Sequence, residues 1–235
     1  MATETVAKRN AAARSRAPRP IGRRSQAVFA ALQRDILLGH LKPRDVLLEL
    51  ELAHRFDCSQ STVREALLRL QEDGLVIRIS QRGTLVADCN GDDARELLRI
   101  RHDIECRGVQ RALARYDGEL RATLLAELEA MRDAARDGDE FALSVHDRTF
   151  HLTLFAAAEL PAVQPMLSRC LLHNHRYKIA SSEPNRDLDE TAERHSAIIE
   201  ALDDGKPEIA RAALSHHIAT IVDFGPSIIQ GEAEQ

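Results

Sequence analysis

The feature that most constrains this chain is one change of hydrophobic period, at Gly74. Before it, between Gln60 and Asp73, the residues Val63, Ala66, Leu67 and Leu70 recur at helical spacing and form one apolar face. After it, Leu75-Val76-Ile77-Arg78-Ile79 and Thr84-Leu85-Val86-Ala87 read as two short strands, with Ser80-Gln81-Arg82-Gly83 as the turn between them. Gly74 supplies the C′ residue that stops the helix, and Ser59 is its expected N-cap. Upstream, Asp57-Cys58-Ser59 turns the chain after a short helix marked by Leu52 and Phe56. A first helix, from Val28 to Leu38, shows Val28, Leu32 and Ile36 on one face and ends at Gly39.

Three helices followed by a β-hairpin make a winged helix-turn-helix, here residues 25–88. Ser59, Gln60, Ser61, Thr62 and Arg64 crowd the first turns of its third helix, where side chains and free N–H groups reach phosphates and base edges. Gln suits a bidentate contact to adenine and Arg one to guanine. Arg44, in the link after Pro43, and Arg82 and Gly83, in the wing, complete the expected DNA-contacting set. The net charge of −5 looks wrong for such a role until it is divided along the chain. Residues 1–24 carry +6, residues 25–90 carry −1, and residues 91–235 carry −10. Residues 1–24 are therefore read as a basic flexible arm. With no Trp and 3% aromatic residues, a base-stacking platform for single strands is excluded in favour of a helix in a groove of double-stranded DNA.

Asp88-Cys89-Asn90-Gly91-Asp92-Asp93 breaks both periods and marks the domain boundary. Beyond it, residues 92–116, 118–137, 139–159, 161–182, 189–204 and 207–229 show helical spacing, separated by Asp, Gly and Pro signals. The chain is thus mainly α, with an all-α antiparallel helical bundle over 92–229 and a tail at 230–235. The four cysteines show no ligand or disulfide spacing, and no apolar run approaches twenty residues. The cytoplasm is the expected address, with no membrane partner.

Eight of the ten histidines fall in the helical half. In its third helix Leu143, Asp147, His151 and Leu154 make one stripe, which points a carboxylate and an imidazole inward together. His195 begins the stripe Ile198, Ile199, Leu202, and His217 belongs to Ala210, Leu214, Ile221. On one continuous helix His195 and His217 would stand about 33 Å apart. A hairpin at Gly205-Lys206-Pro207 instead brings them to one level, because each lies ten residues from the turn. Four inward polar groups without a partner would cost about 1–3 kcal/mol each. A shared divalent cation removes that cost, with zinc first and nickel or manganese also suited to one carboxylate and three imidazoles. His216 falls off the stripe and is expected to be exposed. His173, His175 and Arg176 are candidates for pocket lining.

The winged-helix segment resembles the DNA-binding domain of the GntR family of bacterial transcription regulators. The resemblance runs through Ile36-Leu37-Leu38-Gly39-His40-Leu41-Lys42-Pro43, Leu47-Leu48-Glu49, Ser59-Gln60-Ser61-Thr62-Val63-Arg64-Glu65-Ala66-Leu67, Asp73-Gly74-Leu75-Val76 and Arg82-Gly83-Thr84-Leu85-Val86. It departs at Arg44, where the family usually has Gly, and at Gln60, where it usually has Arg. Residues 92–220 resemble the FCD effector-binding domain of the FadR subfamily, whose Asp-x-x-x-His falls on Asp147 and His151 and whose later histidines fall on His195 and His217. The resemblance implies that these four hold a metal, that a small organic acid binds beside it, and that Arg101 faces that pocket. It implies a ligand-responsive regulator, a repressor of a metabolic operon. Two-fold symmetry adds the expectation of a homodimer on an inverted-repeat operator. A metal-dependent hydrolase is the competing reading of the four polar groups, but there is no His-Glu-x-x-His motif and no evident general base beside them.

Overall fold

The computed structural model describes residues 22–80, 83–181, 186–222 and 224. Most of the basic arm, Arg82 of the wing and the tail at 230–235 lie outside these residues. The amino-terminal domain contains α1 (Arg23–Leu37), β1 (Val46–Leu47), α2 (Glu49–Arg55), α3 (Gln60–Glu72), β2 (Val76–Ile79) and β3 (Gly83–Val86). Its core is the set of apolar faces expected from periodicity: Val28, Leu32 and Ile36 of α1 meet Val63, Ala66 and Leu70 of α3. Ser59 caps α3 by accepting from the Thr62 N–H at 3.2 Å. At the other end Gly74 adopts φ +75°, the left-handed conformation that lets the chain leave the helix and enter β2.

Three details differ from expectation. Helix α1 begins at Arg23, ahead of Val28: Gly22 is its extended N-cap residue, accepting from the Gln26 N–H at 3.1 Å, and the first turn carries no apolar marker for periodicity to detect. Strand β1, two residues long, joins the hairpin to give the sheet order β1-β3-β2, with Val46 opposite Leu85 and Ile77 opposite Leu85 on the other side. Gly83 is the first residue of β3, opposite Ile79, rather than part of the turn.

The second domain is helical throughout its described residues: α4 (Gly91–Leu113), α5 (Gly118–Arg136), α6 (Glu140–Ala156), α7 (Gln164–Ser181), α8 (Leu188–Glu193), α9 (Ser196–Asp203) and α10 (Pro207–Ala219). Leu98, Val109, Leu124, Leu128, Met131, Phe150 and Leu214 form its core. Helices α4 and α6 approach closely at Gly108, where an added Cβ would lie 2.5 Å from the Phe155 ring. This approach brings Glu105, one turn earlier on α4, against α6. The single helix expected over 189–204 is two, interrupted at Arg194 and His195, and α10 ends at Ala219 where a helix to 229 was expected. No helix among the described residues is long and apolar enough to cross a membrane.

Helix α7 joins the domains. Leu172 enters the core of the winged helix. His173 Nε2 donates to the Asp73 carbonyl at the end of α3 at 2.8 Å, and Arg176 donates to the Ala87 and Asp88 carbonyls that follow β3.

Candidate functional site

On α3, Gln60, Ser61 and Arg64 are exposed, and Thr62 is half-buried under the Ser59 cap. The Ser59 hydroxyl lies 2.8 Å from those of Ser61 and Thr62, so the three hydroxyls form one cluster at the helix start. Arg64 is held by Glu49 of α2 through Nε and Nη2, the shorter contact being 2.7 Å, and Arg78 of β2 shares the same carboxylate. Glu49 therefore orients a guanidinium from each of two elements. Arg44 adopts φ +71°, in the left-handed region that favours glycine, which fits the glycine expected there from the family resemblance. Its side chain pairs with Asp88 at 3.0 Å.

The four groups predicted to share a cation come together. Asp147 and His151 of α6, His195 in the break before α9 and His217 of α10 are all buried, and one ligand atom from each lies within 4.8 Å of the others. The hairpin between α9 and α10 places the His195 and His217 ring centroids 4.5 Å apart. What decides the chemistry is where the ring protons must sit. His151 Nδ1 is 2.6 Å from the Glu105 carboxylate, so it carries the proton and leaves Nε2 with a bare lone pair. His195 Nδ1 is 3.1 Å from the Ala192 carbonyl, which only accepts, so its Nε2 is bare as well.

The bare His195 Nε2 then faces a carboxylate oxygen, while the bare His151 Nε2 faces the His217 imidazole, whose Nε2–H is the hydrogen-bond donor within its reach. His195 Nε2 lies 3.1 Å from Asp147 Oδ1, and His151 Nε2 lies 3.2 Å from His217 Nε2. His195 Nε2 and His217 Nδ1 are buried with no hydrogen-bond partner. Converging lone pairs in a dry interior are mutually repulsive, and a divalent cation among them turns the repulsion into coordination. The donor set fits a metal.

The ionisation states agree. Burial raises the Asp147 carboxyl, but its imidazole surroundings, His175 first, outweigh it and hold it well below the usual carboxylate range. Burial lowers His217 well below its ordinary value, with His195 and His151 adding to the effect, and burial also lowers His151 against the pull of Glu105. Neutral imidazoles beside an ionised carboxylate are the ligating forms.

Behind the cluster stands a layer of charge. Glu105 of α4 accepts from His151 on one oxygen and from Arg101 Nε, at 2.5 Å, on the other. Although burial would raise it, His151 and Arg101 bring the Glu105 carboxyl down to about 2. Arg101 is 0% exposed, and its Nη1 and Nη2 have no partner. A buried guanidinium with two free donors is a fork shaped for a carboxylate.

Comparison with known proteins places this architecture. Residues 24–86 match the bacterial regulatory proteins of the gntR family, and residues 96–220 match the FCD domain. The chain belongs to the gntR family. It is 31% identical over 186 residues to a probable D-xylose utilization operon transcriptional repressor of Paenarthrobacter nicotinovorans, spanning 79% of this chain and 81% of that one. It is 26% identical over 213 residues to the HTH-type transcriptional repressor RspR of Escherichia coli, spanning 89% and 92%. A gntR-type regulator from Rhodococcus sp. RHA1 superposes with a TM-score of 0.67 at 25% identity, over 86% of this chain and 99% of that one. This gntR-family member is a ligand-responsive, DNA-binding transcription regulator. The hydrolase reading finds no support among its relatives.

One participant in the regulator's polar centre was not expected from sequence, and a second was expected only to line the pocket. Glu105 carries no expectation from sequence, yet it is buried with Arg101 and the pair reaches His151. His175 of α7 lies 2.9 Å from Asp147 Oδ2 and orients that carboxylate, and burial lowers it to about 4 against the pull of Asp147. Of the three pocket-lining candidates, only His175 faces the centre. His173 and Arg176 face the winged helix, and His216 is exposed as expected.

Proposed function

We propose that this regulator represses a metabolic operon and is released by a small carboxylic acid bound beside a divalent metal. Asp147, His151, His195 and His217 hold the metal, with zinc first and nickel or manganese as alternatives, and Arg101 anchors the acid through Nη1 and Nη2. When bound, the metal supplies a fixed positive charge that draws the effector carboxylate to the same point. Glu105 fixes the His151 tautomer and the Arg101 fork, and His175 fixes Asp147.

The observation that carries this reading is the convergence of four buried ligand atoms within 4.8 Å of one another, with the bare His195 Nε2 set against Asp147 Oδ1 at 3.1 Å. The relatives named as repressors support the direction of control. DNA is read by Ser59, Gln60, Ser61, Thr62 and Arg64 in the major groove, with Arg44, Arg82 and Gly83 on the backbone and the basic arm adding salt-dependent affinity. A homodimer on an inverted-repeat operator doubles a small interface, and the cytoplasm is its place of action. Operator binding measured with and without zinc, over a panel of small acids, tests the reading. Release by at least one acid in the zinc-loaded protein, lost in Arg101→Met, is the expected result. Operator affinity that no acid alters with metal present would overturn it.

A further inference from the structure

The bundle has a second polar opening that neither the metal cluster nor Arg101 uses. A cavity of about 370 Å³ is walled by Tyr177 and Lys178 of α7, by Arg186, Thr191 and Arg194 around α8, and by Ile221 beyond α10. Three of these are cations. Of the two carboxylates that also border it, Asp187 accepts from the Glu190 N–H at 2.9 Å to cap α8, which leaves Glu190 to balance Arg194. Arg186 pairs with Glu140 through Nη2, yet its Nε and Nη1 are buried and have no partner. Arg101 shows the same pattern of orphaned guanidinium donors at the inner end.

The cavity walls are built by the chain segments that also carry the polar centre. Lys178 lies three residues after His175, Thr191 four before His195, and Ile221 four after His217. On α7, the one continuous helix among these three, that places the Lys178 wall about 5 Å along the axis from His175, the residue that orients Asp147. Electrostatics carries across that distance, because the Asp147 carboxylate acts on both Lys178 and Arg194. Burial pushes Lys178 down to about 8 against the pull of Asp147.

We infer that this opening binds a second carboxylate of the effector, making the ligand a dicarboxylic acid whose two ends reach Arg101 and the Lys178–Arg186–Arg194 cavity. At about 1.5 Å per carbon–carbon bond, two or three methylene groups cover one helical turn. Succinate and glutarate have that reach, and propionate matches one end only. The inference rests on the Arg101 and metal reading above.

Calorimetric titration of the full zinc-loaded chain with propionate, succinate and glutarate tests it in wild type, Arg186→Gln and Lys178→Met, with melting temperatures as a folding check. Wild type is expected to bind succinate or glutarate about tenfold or more tighter than propionate. Both variants should keep wild-type affinity for propionate and lose most of the dicarboxylate advantage. Equal affinity for all three acids in wild type, or an advantage that survives both substitutions, overturns the second subsite and leaves the Arg101 reading standing. If none of the three acids binds while zinc does, both fall together.

Discussion

Replacing Glu105 by Gln removes one buried charge while keeping the shape of the side chain, and its cost can be worked from two contacts. The carboxylate accepts from Arg101 Nε at 2.5 Å and from His151 Nδ1 at 2.6 Å, and it is 2% exposed. An amide has one accepting oxygen, so one contact must change. If the NH2 group faces His151, the imidazole proton moves to Nε2 and the metal-facing lone pair is lost. Loss of such an outer partner lowers metal affinity by about 10–100-fold. Arg101 meanwhile loses its buried counter-ion, which destabilises by about 3–5 kcal/mol. For a chain of this size that lowers the melting temperature by about 6–20 °C. Zinc competition against a chromophoric chelator, with calorimetry in EDTA, measures both effects. Unchanged zinc affinity and an unchanged melting temperature in Glu105→Gln would refute the argument that this carboxylate serves both Arg101 and His151.

The remaining predictions concern the DNA face, pH and the domain junction. Arg64→Ala should weaken specific operator binding by on the order of tenfold or more. Gln60→Arg should shift base preference in selection from a random pool more than it shifts total affinity. Burial holds His151, His175 and His217 below their ordinary values, so the folded metal-free chain keeps them neutral where an unfolded chain protonates them. Stability from these groups is complete above about pH 6.5 and is lost as the pH falls toward the His175 value of about 4. Zinc affinity should decline over the same window, and a flat profile between pH 7 and 4.5 would contradict it. Leu172→Ala removes the α7 side chain from the winged-helix core. A loss of about 2–5 kcal/mol and a melting transition that separates into two are expected by calorimetry.

The winged helix was legible because its period changes once and its caps stand where the change requires, at Ser59 and Gly74. Strand β1 was not, since Val46 and Leu47 are too few to show a period, and only pairing with β3 makes them a strand. The four cluster residues were legible from stripes, and the hairpin arithmetic for His195 and His217 corresponds to rings 4.5 Å apart. The stripe hid the break at Arg194 and His195, because no Gly or Pro marks it and Ile198, Ile199 and Leu202 continue in phase. His173 and His175 stand about 200° apart on α7. That angle excluded a shared target, and the structure shows the two serving different domains. Glu105 carried a signal that was passed over: an Arg and a Glu four apart, on a helix whose neighbouring turns are apolar, are a buried pair as readily as a surface one.

The central claim is that Asp147, His151, His195 and His217 hold one divalent ion, and metal analysis joined to melting tests it most directly. Protein purified without a histidine tag should contain one zinc, nickel or manganese per chain. A metal present at about 1,000 times its Kd stabilises the folded state by about 4 kcal/mol, so chelation should lower the wild-type melting temperature by several degrees. The same chelation should leave a His195→Ala/His217→Ala variant unchanged. No stoichiometric metal, together with no thermal shift on adding zinc, nickel or manganese, would contradict the account and return the four side chains to a hydrogen-bonded core.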